Sequence, residues 1–254
     1  MPRKISNIMR VITWNCNRAF RKKSKRIVDL NPHIVVVPEC ENPGMTRDGD
    51  WISDFDGWRW FGDNNHQGVG VFVRRKVKIA ECSWFDPEIR YIRPFHVDYQ
   101  GFEFNMIAVW ANNTKSPTFQ YIGQVWKFLQ AFEKEITANQ SLFLGDFNSH
   151  IQWDVPDRWW NHSDVVAILR KNGIESLYHH FHGIEHGAEA EPTLYLQRNK
   201  GKPYHVDYVF ASRAFIDSVR NVSVGRWDEW IGESDHMPII CDFDEKRIRI
   251  LGED

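Results

Sequence analysis

Ser141-Leu142-Phe143-Leu144-Gly145-Asp146-Phe147-Asn148 is the stretch whose reading decides this chain. A short apolar run of this kind reads as a buried strand. It stops abruptly at Gly, Asp and Asn, which are also ordinary turn residues. Taken alone, Gly-Asp-Phe-Asn therefore reads equally well as a turn. Residues i and i+2 of a strand share a face. Asp146 and Asn148 are thus expected to project together from the strand end, where open α/β sheets place their ligands.

Four other segments carry matching chemistry at the edge of an apolar run. Trp14-Asn15-Cys16-Asn17 follows Val11-Ile12. Pro38-Glu39 follows Ile34-Val35-Val36-Val37. His205-Val206-Asp207-Tyr208-Val209-Phe210 is an alternating strand. Ser234-Asp235-His236-Met237-Pro238 precedes Ile239-Ile240. Each contributes a carboxylate, an amide or an imidazole. In this order and spacing the chain resembles the endonuclease/exonuclease/phosphatase superfamily over residues 11–240. That superfamily includes deoxyribonuclease I, exonuclease III, apurinic endonucleases, inositol polyphosphate 5-phosphatases, neutral sphingomyelinases and deadenylases.

The 254 residues fit one large domain or two small ones. No Pro/Ser/Gly-rich linker, low-complexity run or internal repeat divides them, so a single domain over 1–254 is expected. A hydrophobic content of 42% with 12 Trp supports a substantial core. The longest apolar runs are too short to span a bilayer, and the basic start is not followed by the apolar stretch of a secretory signal. The four Cys (16, 40, 82 and 241) lack metal-like spacing. Cys16, Cys40 and Cys241 lie in or beside predicted strands and read as buried thiols of a reducing, cytoplasmic compartment. The expected state is a monomer without stable membrane association.

A net charge of −2 advertises no global polycation. The charge is uneven, however: residues 1–26 hold nine Lys or Arg and no Asp or Glu. The dense part is Arg21, Lys22, Lys23, Lys25 and Arg26. It reads either as a solvated helix face or as a phosphate-backbone contact close to Asn15.

Periodicity and turn signals predict strands near 10–15, 33–38, 58–61, 68–73, 77–83, 89–97, 101–110, 141–145, 193–196, 204–210, 219–224 and 239–243. They predict helices over 18–30, over 118–136 with Ser116-Pro117 at its start, and over 164–171, opened by His162-Ser163 and closed by Gly173. Residues 40–57 read as a loop with turns at Asn42-Pro43-Gly44 and Asp48-Gly49-Asp50. Two strand-rich halves point to sheets packed face to face with helices outside. The resemblance implies the same: a four-layer α/β/β/α sandwich of two mixed sheets, with the site at one end of the sheets.

Phosphodiester hydrolysis needs charge neutralisation at the phosphate, an activated and aimed water, and a fixed phosphate. Mg²⁺, with Mn²⁺ able to substitute, does the first with one or two carboxylates and retained waters. Glu39 is the best ligand candidate, because an acid ending a four-residue aliphatic strand has few structural reasons to be there. In the superfamily a Gln usually precedes this Glu; here it is Pro38. The resemblance implies that Asn15 supports the metal and that Asp235 helps to hold it. It implies that Asp207 orients His236 within Ser-Asp-His-Met-Pro, and that Asp146 and Asn148 contact the attacking water and the phosphate. Asp146 and His236 both stand as candidates to take the proton.

One departure is visible. After the strand that ends at Val109, many members carry a His or a Tyr; this chain has Trp110. Indole has no proton to give near neutral pH, though its N–H can donate a hydrogen bond. The leaving oxygen is then protonated by a metal-bound water or by another residue, for which His66 is a candidate. Asn113 is a candidate phosphate contact. The loop 152–161 follows Asn148 directly, and its Trp153, Trp159 and Trp160 either stack bases or cap the core. His179, His180, His182 and His186 show no spacing that marks a metal site.

The expected function is a Mg²⁺-dependent phosphodiesterase acting on nucleic acid, DNA or single-stranded polynucleotide. The alternative is a phosphoesterase for a nucleotide, phosphoinositide or sphingomyelin. A catalytically dead binding module would have lost site residues, yet all seven of the central ones are present.

Overall fold

A computed structural model of the chain describes residues 8–46, 49–75, 77–113 and 116–251. Residues 1–7, with Arg3 and Lys4 of the basic stretch, and Asp48 of the predicted turn lie outside them. The described residues form fourteen strands: β1 Ile8–Thr13, β2 Ile34–Cys40, β3 Gly57–Asn64, β4 Gln67–Val73, β5 Val77–Glu81, β6 Ile92–Tyr99, β7 Phe102–Trp110, β8 Ser141–Asp146, β9 Glu175–Ser176, β10 Leu194–Tyr195, β11 Pro203–Tyr204, β12 Asp207–Ala211, β13 Val219–Val224 and β14 Ile239–Asp244. The helices are α1 Ser24–Val28, α2 Ile122–Ala131, α3 Glu133–Thr137, α4 His162–Lys171, α5 Leu177–His182, α6 Arg213–Ser218, α7 Trp227–Trp230 and α8 Glu245–Leu251. Among the described residues no helix is long and apolar enough to cross a membrane.

Two six-stranded sheets carry the fold, in the orders β13-β14-β1-β2-β4-β3 and β5-β6-β7-β8-β12-β9. Their facing sides share one apolar cluster, which takes Val11, Val36, Val71 and Cys241 from the first sheet and Val97, Phe104, Leu144 and Val209 from the second. A second cluster joins Ile107, Phe143 and Phe210 of the second sheet to Val125, Phe128 and Leu129 of α2 and to Val165 and Leu169 of α4. This is the expected α/β/β/α sandwich. Cys16, Cys40 and Cys241 are buried thiols, as their strand positions suggested.

The topology explains why chemistry collects at one end. Each sheet is antiparallel except for one central pair, β1 with β2 and β7 with β8. A parallel pair brings two carboxyl ends together. The antiparallel neighbours β14 and β12 begin at that same end, with Thr13 opposite Ile239 and Asp146 opposite Asp207. The turns after β1, β2, β7 and β8 and before β12 and β14 therefore share one rim.

Several boundaries differ from the periodicity reading. The helix expected over 18–30 shrinks to a 3-10 turn, Phe20–Lys22, and α1. Arg21 and Lys23 turn toward the protein, whereas Arg18, Lys22, Lys25 and Arg26 are exposed, as on a solvated face. Arg21 pairs with Glu41 at 2.8 Å, and Lys23 Nζ donates to the carbonyls of Cys16 and Glu233 at 2.6 Å each. Lys25 pairs with Asp29, and Arg26 lies over the ring of Trp230. The helix expected over 118–136 breaks at Phe132, which leaves helical geometry (φ −127°) between α2 and α3. Helix α4 starts at His162, two residues earlier than expected, and is capped by Asn161 in a reciprocal capping box with Asp164.

His33 tests the packing at the far end of the first sheet. Its Nδ1 accepts from Arg10 N at 3.0 Å and its ring meets Tyr99 edge-on. Burial, with Arg75, Arg10 and Arg74 around it, lowers its pKa to about 4. The folded state thus refuses a proton that the unfolded chain takes up below pH ~6.5. Stability is expected to fall between pH ~6.5 and 4 by at most about 3 kcal/mol from this group. His33→Gln, which keeps an acceptor, should flatten that part of a denaturation-versus-pH series. An unchanged slope would show that His33 is not responsible.

Candidate active site at the rim of the two sheets

The glycine of the opening stretch sets the geometry. Gly145 has φ +145°, and a Cβ there would lie 1.8 Å from the carbonyl oxygen of Val109. Only a bare α-carbon lets β8 close on β7 and deliver Asp146 to the rim. Asp146 then folds the chain back on itself. Its Oδ1 accepts from Asn148 N at 2.8 Å and its Oδ2 from Asn148 Nδ2 at 3.0 Å. Asn148 also donates to the carbonyl of Ala111 at 2.9 Å. Asp146 and Asn148 do converge, but for another reason than strand alternation: Asn148 lies beyond the strand in the left-handed region (φ +46°), which Asn tolerates.

Glu39 is also presented by an irregularity. The β2–β4 register slips between Pro38 and Cys40, and Glu39 sits in this bulge with φ +60°. The amide of Asn15 joins the two sheets. Its Nδ2 donates to Glu39 Oε1 at 3.2 Å and to Asp146 Oδ2 at 2.9 Å. Gln67, which the sequence reading passed over, donates to the other oxygen, Glu39 Oε2, at 3.0 Å.

The second bridge between the sheets is His236 Nδ1 against Asp207 Oδ2 at 2.8 Å. Thr193 Oγ1 accepts from Asp207 N at 3.0 Å, and the backbone of His236 is held by Ser234 Oγ and Trp14 Nε1. Ser234 Oγ in turn donates to the carbonyl of Asn15, and Asn17 Nδ2 donates to Asp235 Oδ1 at 2.7 Å. Lys23 clamps the same two loops through the carbonyls of Cys16 and Glu233. The turn that carries Asn17 has three successive left-handed residues, Asn17, Arg18 and Ala19. Asn17 and Ser234 lie inside two of the quoted segments without a role of their own there, and Thr193 carries no site signal in the sequence, because these residues act only on backbone and side chains already placed.

Donor atoms of Asp146, Asp207 and His236 all lie within 4.8 Å of one another. Burial, and then the charge of Asp207, raise the Asp146 carboxyl to about 7. Burial alone would lower His236. The charge and hydrogen bond of Asp207, with Asp146 and Asp235 behind it, outweigh burial and hold the imidazole at about 10. Buried Asp207 Oδ1 has no hydrogen-bond partner. Four carboxyl groups, Glu39, Asp146, Asp207 and Asp235, outnumber one imidazolium at this rim and leave excess negative charge. The donors are hard oxygens, which suit a divalent cation of the Mg²⁺ class.

The remaining candidates lie outside this hydrogen-bonded set, although Trp110 pairs with Asp146 in the β7–β8 register. His66 is exposed in the β3–β4 turn, with its backbone N–H held by Asn64; its neighbour Gln67 is the residue that reaches Glu39. Trp110 is only 5% exposed and its ring stacks on Tyr91 at 5.0 Å. Asn113 joins Arg90, Tyr91 and Lys127 around a cavity of about 310 Å³. The Trp loop divides: Trp160 packs on Phe119, whereas Trp153 and Trp159 are 40% and 61% exposed. Trp110→His is therefore expected to cost roughly 2–4 kcal/mol of stability. The ratio of rates on substrates with good and poor leaving groups should stay as it was. A selective gain on poor leaving groups would place position 110 at the leaving oxygen instead.

The model of the endonuclease/exonuclease/phosphatase family matches residues 12–236, and the chain belongs to that family. Its type of activity is metal-dependent phosphodiester cleavage. No curated protein matches by sequence. Solved structures share the fold at low identity. The 3'-5' exonuclease NExo from Neisseria meningitidis is 20% identical, with a TM-score of 0.63 over 93% of this chain and 100% of that one. An AP endonuclease from Archaeoglobus fulgidus is 17% identical, with a TM-score of 0.62 over 93% and 99%. D. rerio TDP2 complexed with a single-strand DNA product is 16% identical, with a TM-score of 0.61 over 93% and 98%.

Proposed function

We propose that the protein is a Mg²⁺-dependent phosphodiesterase that hydrolyses phosphodiester bonds of nucleic acid. The observation that carries this reading is the pair of bridges between the sheets, Asn15–Asp146 and Asp207–His236, which gather acid, base and amide at one rim. Glu39 holds the cation, with Asn15 and Asp235 supporting it, and the bound ion supplies charge neutralisation at the phosphate. Asp146, with its pKa near 7, takes the proton from the attacking water, and Asn148 steadies the phosphate. His236 keeps its proton at neutral pH and presents its other ring nitrogen to the phosphate, oriented by Asp207. The proton acceptor left open by the sequence is thus assigned to Asp146.

Two observations favour a polynucleotide. Trp153 and Trp159 stand exposed on the loop that follows Asn148. Family relatives of the same fold act on or bind DNA, as in NExo bound to a product DNA hairpin. The test is a metal-dependence assay on single- and double-stranded DNA, RNA, nucleotides and a lipid phosphodiester. Cleavage of a polynucleotide is expected, abolished by EDTA and restored by Mg²⁺ or Mn²⁺. Glu39→Gln should weaken metal affinity and activity together. Activity that survives chelation, or that is confined to the small or lipid substrates, would overturn the reading.

A further inference from the structure

We propose that His179, His186 and Glu189 form a binding site for a zinc-type transition-metal ion, separate from the phosphodiester site. Five of the chain's eleven histidines, His150, His162, His179, His186 and His205, gather with Glu189 behind β12. A ligand atom from each of His179, His186 and Glu189 lies within 4.8 Å of the other two. Two ligands at ~2.0–2.2 Å from zinc lie no more than ~4.4 Å apart, so this spread needs a closure of only a few tenths of an ångström to put all three donors on one ion. The His179 and His186 rings stack with centroids 3.6 Å apart, and His179 Nε2 is 2.9 Å from Glu189 Oε1.

Each of the three donors is also held from outside, as metal ligands usually are. Ser176 Oγ is 2.7 Å from His179 Nδ1. His162 Nε2 is 3.0 Å from His186 Nδ1. Glu189 Oε2 accepts from Gly187 N at 2.9 Å and meets His150 Nε2 at 3.2 Å. Two further ring nitrogens, His162 Nδ1 and His205 Nε2, are buried without any hydrogen-bond partner, on residues 1% and 2% exposed. Hydrogen bonding to Glu189 accounts for His150 and His179, but not for His186 and these orphaned nitrogens. Two imidazoles and one carboxylate select zinc or a neighbouring late first-row ion over Mg²⁺. A cavity of about 340 Å³, lined by Ser176, His179, Gly183, Glu185 and His186, gives the ion a way in.

The place of the cluster suggests its use. His150 lies two residues beyond Asn148, and Tyr208 follows Asp207 and donates to the carbonyls of Ser149 and His205. An ion on Glu189 would pin the chain around residues 176–189 against the two segments that deliver Asn148 and Asp207. The site is thus structural.

The experiment uses untagged full-length protein, loaded with Zn²⁺, dialysed, and assayed by elemental mass spectrometry. About one zinc per chain is expected. It should persist in Glu39→Gln and in a His180→Ala/His182→Ala double variant, whose histidines are exposed on the same helix. It should be lost in His186→Asn and in Glu189→Gln. His162→Ala, which removes an outer partner, should weaken zinc binding ~10–100-fold. Should the variants fail to fold, Co²⁺ bound to the parent protein decides, through a tetrahedral visible spectrum with imidazole ligation. Zinc well below stoichiometry, zinc lost in Glu39→Gln, zinc retained in both His186→Asn and Glu189→Gln, or a six-coordinate all-oxygen Co²⁺ spectrum would overturn the proposal.

Discussion

Replacing His236 with alanine is expected to reduce turnover ~10²–10⁴-fold while leaving Mg²⁺ affinity largely intact. The imidazole is buried, its Nδ1 bound by Asp207 at 2.8 Å, and no hydrogen bond links its ring to Glu39 among the described residues. In the proposed mechanism it acts on the phosphate and not through the cation. Asp207→Asn separates orientation from charge. The amide can keep the imidazole in place, but it removes the negative charge that holds the imidazolium proton. The alkaline limb of the pH–rate profile should then move to lower pH, together with a loss of turnover. Loss of Mg²⁺ binding in His236→Ala, or an alkaline limb that stays put in Asp207→Asn, would show that the roles are wrongly divided.

The second large effect is expected at a residue with no functional group. Gly145→Ala would place a methyl 1.8 Å from the Val109 carbonyl oxygen and 2.7 Å from its carbon. Both are backbone atoms in the middle of a sheet, so no flexible side chain can make room. The strand must shift, and the change should cost roughly 3–5 kcal/mol. Because Asp146 is the next residue, even the folded fraction should lose activity. A denaturation midpoint within about 1 kcal/mol of the parent, with activity intact, would show that β8 yields more easily than its spacing allows.

These residues also mark how far the sequence could be read. The rim was legible because strand ends announce themselves: an aliphatic run that stops at Glu39, Asp146 or Asp207 shows both the strand and the acid. What was not legible is how those acids are aimed. Glu39 depends on a bulge and Asn148 on a left-handed turn, and neither has a periodicity. The basic stretch was legible only in part: Lys22 and Lys25 are exposed, as on a solvated face, but charge counted along a chain says nothing of partners that arrive from far away, such as Glu41 for Arg21 and the Glu233 carbonyl for Lys23. The histidines between residues 150 and 205 were visible one by one. Their clustering was not, since three segments fold back to the same side of β12.

One pairing has a consequence for how the molecule is made. Strand β1 lies between β2 and β14, and Arg10 meets Asp242 across a separation of 232 residues. During synthesis β1 emerges long before β14, and its place in the sheet stays half open until β14 leaves the ribosome. The edge of β1 that pairs with β14, from Ile8 to Thr13, must wait without its final neighbour. Contacts this distant in sequence slow folding and lengthen the exposure of strand edges. A ribosome stalled just short of residue 239 would carry a nascent chain whose central strand is bare along one edge, and that chain, rather than the finished protein, is where chaperone engagement and aggregation should concentrate.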